Sequence, residues 1–243
     1  MDHRPLEGFV LAITPFNFTA ISGNLPLAPA LMGNTVVWKP SHTQQLAAHY
    51  VMRLLEAAGL PPGVINMVTG WGTSSDVALE HPSLAGVHFT GSTRVFQKIW
   101  QTVGGGIDRY RTYPRLVGET GGKDFVLAHA SADALALEVG LVRGAFEYQG
   151  QKCSAASRVY APSNLWPAIR ERLEQEVPTM RVGTPLSSHS TQAPRQSIHI
   201  QWPSLWRSRY SKIWKSGSPA FCRSMAWTTK SRSSGWTRAS QAS

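Results

Sequence analysis

Between Gly8 and Trp38 the chain carries no charged residue and no histidine. A run of that length could cross a bilayer. Pro15, Pro26 and Pro29 interrupt it, however, and Asn17, Asn24 and Asn34 lie among them, so no membrane span is expected. The segment instead reads as buried inside a globular domain, as a strand, a helix and a second strand. The strands are residues 8–13, ended by Thr14-Pro15, and residues 35–38, ended by Lys39-Pro40. Short apolar runs closed by turn residues suit strands covered on both faces, as in a parallel sheet.

The alternation continues downstream. Leu46, Ala47, Tyr50, Val51, Leu54, Leu55 and Ala58 share one helical face, with Ser41 or Thr43 as cap and Gly59 and Pro61-Pro62 as the stop. Residues 64–68 and 86–89 read as strands. Thr90-Gly91-Ser92 opens a helix with Val95, Phe96, Ile99 and Trp100 on one face. Residues 115–117 and 125–127 read as strands around a Gly-rich turn. Asp133 caps a helix to about Glu147, residues 158–160 form a strand, and a last helix starts at Trp166. Repeated strand–helix units predict an α/β fold with a doubly wound parallel sheet.

The net charge of +10 suggests nucleic acid, but its distribution does not. From Thr184 to the end there are nine basic residues and no Asp or Glu. The first 183 residues hold fifteen basic and fourteen acidic residues, close to neutrality. The last 60 residues also hold fifteen serines and five of the nine tryptophans, with no sustained period of 2 or 3.6. Such a segment is expected to be disordered, its composition resembling a changed reading frame or an alternative terminal exon. Stacking of single-stranded nucleic acid on the interleaved aromatics remains the alternative, although nucleic acid is not the expected partner. Two cysteines, Cys153 and Cys222, exclude a disulfide scaffold, and no Cys/His set has metal-site spacing, so no metal is expected. The first residues show neither a secretory signal nor a transit peptide.

Five strings follow one another in order: Thr14-Pro-Phe-Asn-Phe18, Trp38-Lys-Pro-Ser41, Phe89-Thr-Gly-Ser92, Gly118-Glu-Thr-Gly-Gly-Lys123 and Gly150-Gln-Lys-Cys-Ser154. In this order they resemble the aldehyde dehydrogenase superfamily. The fuller strings Pro15-Phe-Asn-Phe-Thr-Ala-Ile21 and Phe146-Glu-Tyr-Gln-Gly-Gln-Lys-Cys-Ser-Ala155 are similar to its proline-catabolic branch, which oxidises L-glutamate 5-semialdehyde to L-glutamate with NAD. The resemblance runs from about residue 6 to residue 183. It implies a partial Rossmann-like NAD-binding domain over residues 1–117, the start of a catalytic domain over 118–183, and an unrelated tail over 184–243.

Oxidising an aldehyde by hydride transfer requires a nucleophile first, because a thiohemiacetal gives up hydride readily and leaves a thioester to hydrolyse. Cys153 sits among Gly150, Gln151, Lys152 and Ser154, poor neighbours for a buried apolar thiol. The resemblance makes Cys153 the nucleophile, Glu119 the general base that activates water, and Asn17 an oxyanion donor alongside the Cys153 N–H. The helix start at Ser92 and Thr93 offers free N–H groups and a positive dipole end to a pyrophosphate. By resemblance Val95 lies near the adenine, Lys39 meets the adenosine ribose, and Thr14 makes a backbone or ribose contact. The Gly70-Trp-Gly72 string reads as a strand-to-helix turn. Many relatives place a carboxylate shortly after the lysine, where this chain has His42, which leaves NAD against NADP open. Lys152 either attracts the substrate carboxylate, with Ser154 beside it, or is solvated, or acts on the Cys153 thiol.

The resemblance further implies a small aldehyde as partner and a homo-oligomer. The segments that clamp the nicotinamide ribose, anchor the substrate carboxylate and join subunits have no counterpart in the sequence. A truncated, poorly active form is therefore expected, with a non-catalytic aldehyde dehydrogenase fragment as the alternative, a mitochondrial matrix location implied by the family and a cytoplasmic one left open by the missing transit peptide.

Overall fold

The computed structural model describes residues 4–180, and the expectation of a disordered tail over 184–243 lies outside them. The chain divides into two compact units between Gly121 and Gly122.

The first unit is built on five parallel strands. They are β1 (Phe9–Thr14), β2 (Thr35–Pro40), β3 (Ile65–Met67), β4 (Leu84–Gly91) and β5 (Arg115–Thr120). Their order in the sheet is β3-β2-β1-β4-β5, every pair parallel. The chain thus winds outward from β1 through β2 to β3, then returns to the other side of β1 with β4. This is the doubly wound arrangement expected from the sequence. Helices α1 (Thr19–Leu31), α2 (Gln45–Ala57), α3 (Asp76–Leu79) and α4 (Thr93–Gly105) make the connections.

The uncharged run is the centre of this unit. Leu11, Ala12, Val36 and Trp38 are fully buried. One face of the sheet packs Val10, Ala12, Val36, Trp38 and Ile65 against Leu25 of α1 and Ala48 of α2. The other packs Leu11, Ile13, Val87 and Phe89 against Ile99 and Val103 of α4. Pro26 and Pro29 lie inside α1, and Pro26 is buried.

Three local expectations need correction. Neither Ser41 nor Thr43 caps α2; they begin a separate 3-10 turn in which their hydroxyls lie 3.3 Å apart, and α2 follows without a side-chain cap. Leu46, Tyr50 and Leu54, expected on the buried face of α2, are exposed, whereas Val51 and Leu55 of that face pack against the core together with Ala48 and Met52. On α4, Trp100 is likewise exposed, and the inward positions are Phe96, Ile99 and Val103.

The second unit begins with β6 (Asp124–Leu127), which pairs in parallel with β7 (Ala156–Tyr160). Helix α5 (Ala134–Phe146) connects them and α6 (Trp166–Glu176) follows. Asp133 caps α5 as its position suggests, accepting from the Ala136 N–H at 2.7 Å. Leu141 of α5 and Ile169 and Leu173 of α6 form the core, with Val126 and Val159 of the strands packed against them.

Candidate active site

In an open parallel sheet, ligands bind beyond the carboxyl ends of the strands, near the point where the winding reverses. Here that point lies between β1 and β4. Every site residue expected in the first unit falls at this edge. Thr14 is the last residue of β1, with Asn17 between β1 and α1; Lys39 is next to last in β2. Ser92 follows β4 and caps α4; Thr93 and Val95 are in the first turn of α4.

Glu119 differs from its expected setting. It lies in strand β5, paired with Thr90 of β4, and not in a turn. Its side chain is exposed. The glycines around it answer to the protein itself. A Cβ on Gly118 would sit 2.3 Å from the Phe96 ring, and one on Gly122 would sit 2.6 Å from the Cys153 carbonyl oxygen, whereas one on Gly121 would meet nothing within 4 Å.

The Thr14 hydroxyl is occupied within the fold. It accepts from Trp38 Nε1 at 3.0 Å and lies 2.9 Å from the Ser22 hydroxyl, all three side chains being buried. The Thr14 carbonyl accepts from the Ser41 N–H at 3.1 Å. Thr14 thus ties β1, α1 and β2 together beneath the site. Neither sequence period nor motif reveals this, since the Trp38 indole N–H finds its partner 24 residues away.

Lys39 is buried, and that burial lowers its ammonium pKa from the ordinary value. Among the described residues no carboxylate is paired with it. A partly desolvated ammonium at a strand end, with no carboxylate partner among the described residues, suits an incoming polar or anionic group. Ser92 uses its hydroxyl to accept from the Val95 N–H at 3.3 Å. What α4 offers a phosphate is therefore the backbone N–H groups of its first turn, which holds Arg94 and no acidic residue. Beyond β2 and β3, the His42 ring lies against Trp71 with centroids 4.3 Å apart. The pair adds an exposed aromatic surface that the sequence reading did not single out. This donor set of buried ammonium, helix N-terminus and aromatic face fits a dinucleotide.

In the second unit, Lys152, Cys153 and Ser154 lie between the end of α5 and β7. Cys153 is half-buried, and Ser154 is exposed. The Lys152 ammonium donates to Glu147 Oε2 at 2.6 Å. That hydrogen bond and charge hold the Glu147 carboxyl below its usual range. Glu147 was not among the residues anticipated; its only sequence signal is an acid five positions before a lysine. No group of His, Cys, Asp and Glu among the described residues could hold a metal, and no described helix is long and apolar enough to cross a membrane.

Residues 1–199 match the aldehyde dehydrogenase family. The chain is 53% identical over 192 residues to the mitochondrial delta-1-pyrroline-5-carboxylate dehydrogenase of Bos taurus, an alignment taking in 79% of this chain and 34% of that protein. The Homo sapiens enzyme of the same name is 51% identical over 190 residues, 78% of this chain and 34% of its own length. A solved delta-pyrroline-5-carboxylate dehydrogenase from Mycobacterium tuberculosis, bound with NAD, superposes with a TM-score of 0.76 at 55% identity, covering 90% of this chain and 40% of that one. The chain thus spans about a third of the length of the curated relatives it matches.

Proposed function

This chain belongs to the aldehyde dehydrogenase family, and from that premise we propose that it serves the NAD-dependent oxidation of L-glutamate 5-semialdehyde to L-glutamate in proline catabolism. The observation that carries the reading is the Gln151-Lys-Cys-Ser154 string in a chain about half identical to delta-1-pyrroline-5-carboxylate dehydrogenases, with Glu119 and Asn17 in their own family strings. The exposed strand-end position of Glu119 and the half-buried thiol of Cys153 are compatible with the roles assigned to them.

In this reading the Cys153 thiolate attacks the aldehyde carbon, forming a carbon–sulfur bond and placing negative charge on the carbonyl oxygen. The Asn17 side-chain amide donates a hydrogen bond to that oxygen, where charge develops in the transition state. Bound NAD supplies the acceptor for the hydride that leaves the thiohemiacetal carbon. Glu119 then takes a proton from water, the hydroxide oxygen attacks the thioester carbonyl, and the carbon–sulfur bond breaks to return the Cys153 thiolate and release the carboxylate. Aldehyde, NAD and water thus give carboxylate, NADH and two protons, one of them taken up by Glu119. Lys39 and the first turn of α4, with Ser92 and Thr93, hold the adenosine and pyrophosphate half, and Val95 borders the adenine. Ser154 lies beside the nucleophile on the substrate side.

The mitochondrial names of the relatives support a matrix location for this activity, and the resemblance supports a homo-oligomer. The test uses the full chain carrying Glu119→Gln, incubated with NAD and the semialdehyde. Peptide mass spectrometry should find a glutamyl thioester on Cys153, with one NADH formed per adduct. Dinucleotide binding without any Cys153 adduct would refute the assignment.

A further inference from the structure

Helix α5 does not run smoothly into the Cys153 segment. After Glu147 the backbone passes through three consecutive left-handed residues: Tyr148 (φ 54°), Gln149 (φ 61°) and Gly150 (φ 63°). Tyr148 and Gln149 are the only non-glycine residues with positive φ among those described. A side chain disfavours this conformation because its Cβ crowds the following carbonyl, and left-handed residues normally occur singly. Two in succession persist only where the surroundings over-determine them.

Hydrogen bonds close this turn. Glu147 stands immediately before it and Lys152 shortly after it, and the 2.6 Å bond from the Lys152 ammonium to Glu147 Oε2 spans all three left-handed residues. Inside that span the Gln151 side chain donates to the Gln149 side chain, and the Gln151 N–H donates to the Tyr148 carbonyl at 3.1 Å. On the far side, the approach of Gly122 to the Cys153 carbonyl leaves no room for a Cβ, so the Cys153 backbone is backed by the chain leading into β6. Cys153 directly follows Lys152.

We infer that Glu147 and Lys152 form an ionic clasp that holds the left-handed turn and so positions the Cys153 thiol. The inference rests on Cys153 being the reactive nucleophile. Both are positioning residues, with the Lys152 ammonium bonded to Glu147. A rival account keeps Lys152 important through its charge alone, acting directly on the neighbouring sulfur. Exchanging the two charges separates these accounts: a clasp survives reversal, whereas a local cation beside the sulfur becomes an anion.

The test measures the iodoacetamide alkylation rate of Cys153 by peptide mass spectrometry in the full chain, native and in urea. It compares the native sequence with Glu147→Gln, Lys152→Met and the double exchange Glu147→Lys/Lys152→Glu. Amide hydrogen exchange across residues 148–152 is followed in parallel. Misplacing a reacting group by about 1 Å costs on the order of 10²-fold. A partial relaxation is therefore expected to slow native alkylation about tenfold in each single variant, with faster exchange across the turn. The double exchange should restore both to within about threefold. Single variants within about twofold of the native rate, or a double exchange as slow as the single variants, would overturn the clasp while leaving Cys153 as nucleophile. If a single variant fails to fold, recovery of folding and alkylation in the double exchange supports the clasp, and failure there overturns it. Native alkylation no faster than in urea would remove the nucleophile assignment and the clasp with it.

Discussion

Gly121 and Gly122 are neighbours with opposite steric surroundings, and replacing each by alanine measures what the close approach at Cys153 contributes. Neither requires a left-handed backbone, so the difference is one of space. A Cβ on Gly121 meets nothing within 4 Å. A Cβ on Gly122 meets the Cys153 carbonyl oxygen at 2.6 Å and Asp124 Oδ1 at 2.8 Å. The aspartate can rotate away, but the carbonyl is backbone. Ordinary contact begins at 3.4 Å, so the two backbones must separate by about 0.8 Å. Overpacking of this kind costs about 1–3 kcal/mol, and a displacement approaching 1 Å costs on the order of 10²-fold in reaction rate. Gly122→Ala should therefore lower the urea midpoint and slow native Cys153 alkylation by between ten- and a hundredfold. Gly121→Ala should stay within about 0.5 kcal/mol of the native protein and alkylate at the native rate. Indistinguishable behaviour of the two alanine variants would refute the argument from the glycine contacts.

Lys39→Met should raise the urea midpoint at neutral pH, because a partly desolvated ammonium with no carboxylate partner among the described residues is removed. It should also weaken NAD binding about tenfold or more in calorimetry, the value of one charge-assisted hydrogen bond, about 1.5–3 kcal/mol. Burial lowers the Lys39 pKa, so the unfolded chain binds more protons than the folded one between the lowered value and 10.5. Stability should therefore rise with pH across that window, and the rise should be smaller in Lys39→Met. Trp38→Phe keeps most of the buried ring but removes the donor to the Thr14 hydroxyl; a loss of about 1–3 kcal/mol is expected by denaturant titration. Glu147 carries a depressed pKa from Lys152, with a smaller contribution from Arg143 in the same direction. Its contribution is present above the ordinary carboxyl pKa and is lost as pH falls through the lowered folded value. Hydrogen exchange across residues 148–152, corrected for the intrinsic rate, should accelerate below pH 4.5 in the native chain and not in Glu147→Gln.

The sheet was legible because its strands are covered on both faces. Residues 8–13 and 35–38 must be apolar at nearly every position, and such runs stand out beside Pro15 and Pro40. Helix faces were less legible. On α2 the apolar residues exceed what the sheet can cover, so Leu46, Tyr50 and Leu54 remain in solvent while the smaller Ala48 takes the buried position. Periodicity identifies a helix, but the packing partner decides which of two adjacent apolar rows faces inward. Glu119 was placed in a turn because three glycines surround it. The pairing of Gly118 with Phe89 and of Glu119 with Thr90 extends β5 through those positions, since glycine is tolerated where Phe96 presses against the strand.

Candidate site residues are legible where residue type and order mark them, and their partners are not. The motifs locate Lys39, Ser92, Glu119 and Cys153, and the sheet topology carries the first three to the carboxyl edge of their own unit. No motif says that the Ser92 hydroxyl caps its own helix, leaving phosphate recognition to backbone N–H groups. Nor does one say that the Thr14 hydroxyl belongs to Trp38 and Ser22, or that the Lys152 ammonium belongs to Glu147. In each case a side chain that reads as a ligand contact holds part of the protein in place. Thr14 joins β1, α1 and β2 beneath the site, Ser92 fixes the start of α4, and Lys152 closes the turn before Cys153. Supporting bonds of this kind hold reactive groups to the fractions of an ångström that their chemistry demands. Short motifs of this type therefore specify the rigidity of a site as well as its reactants.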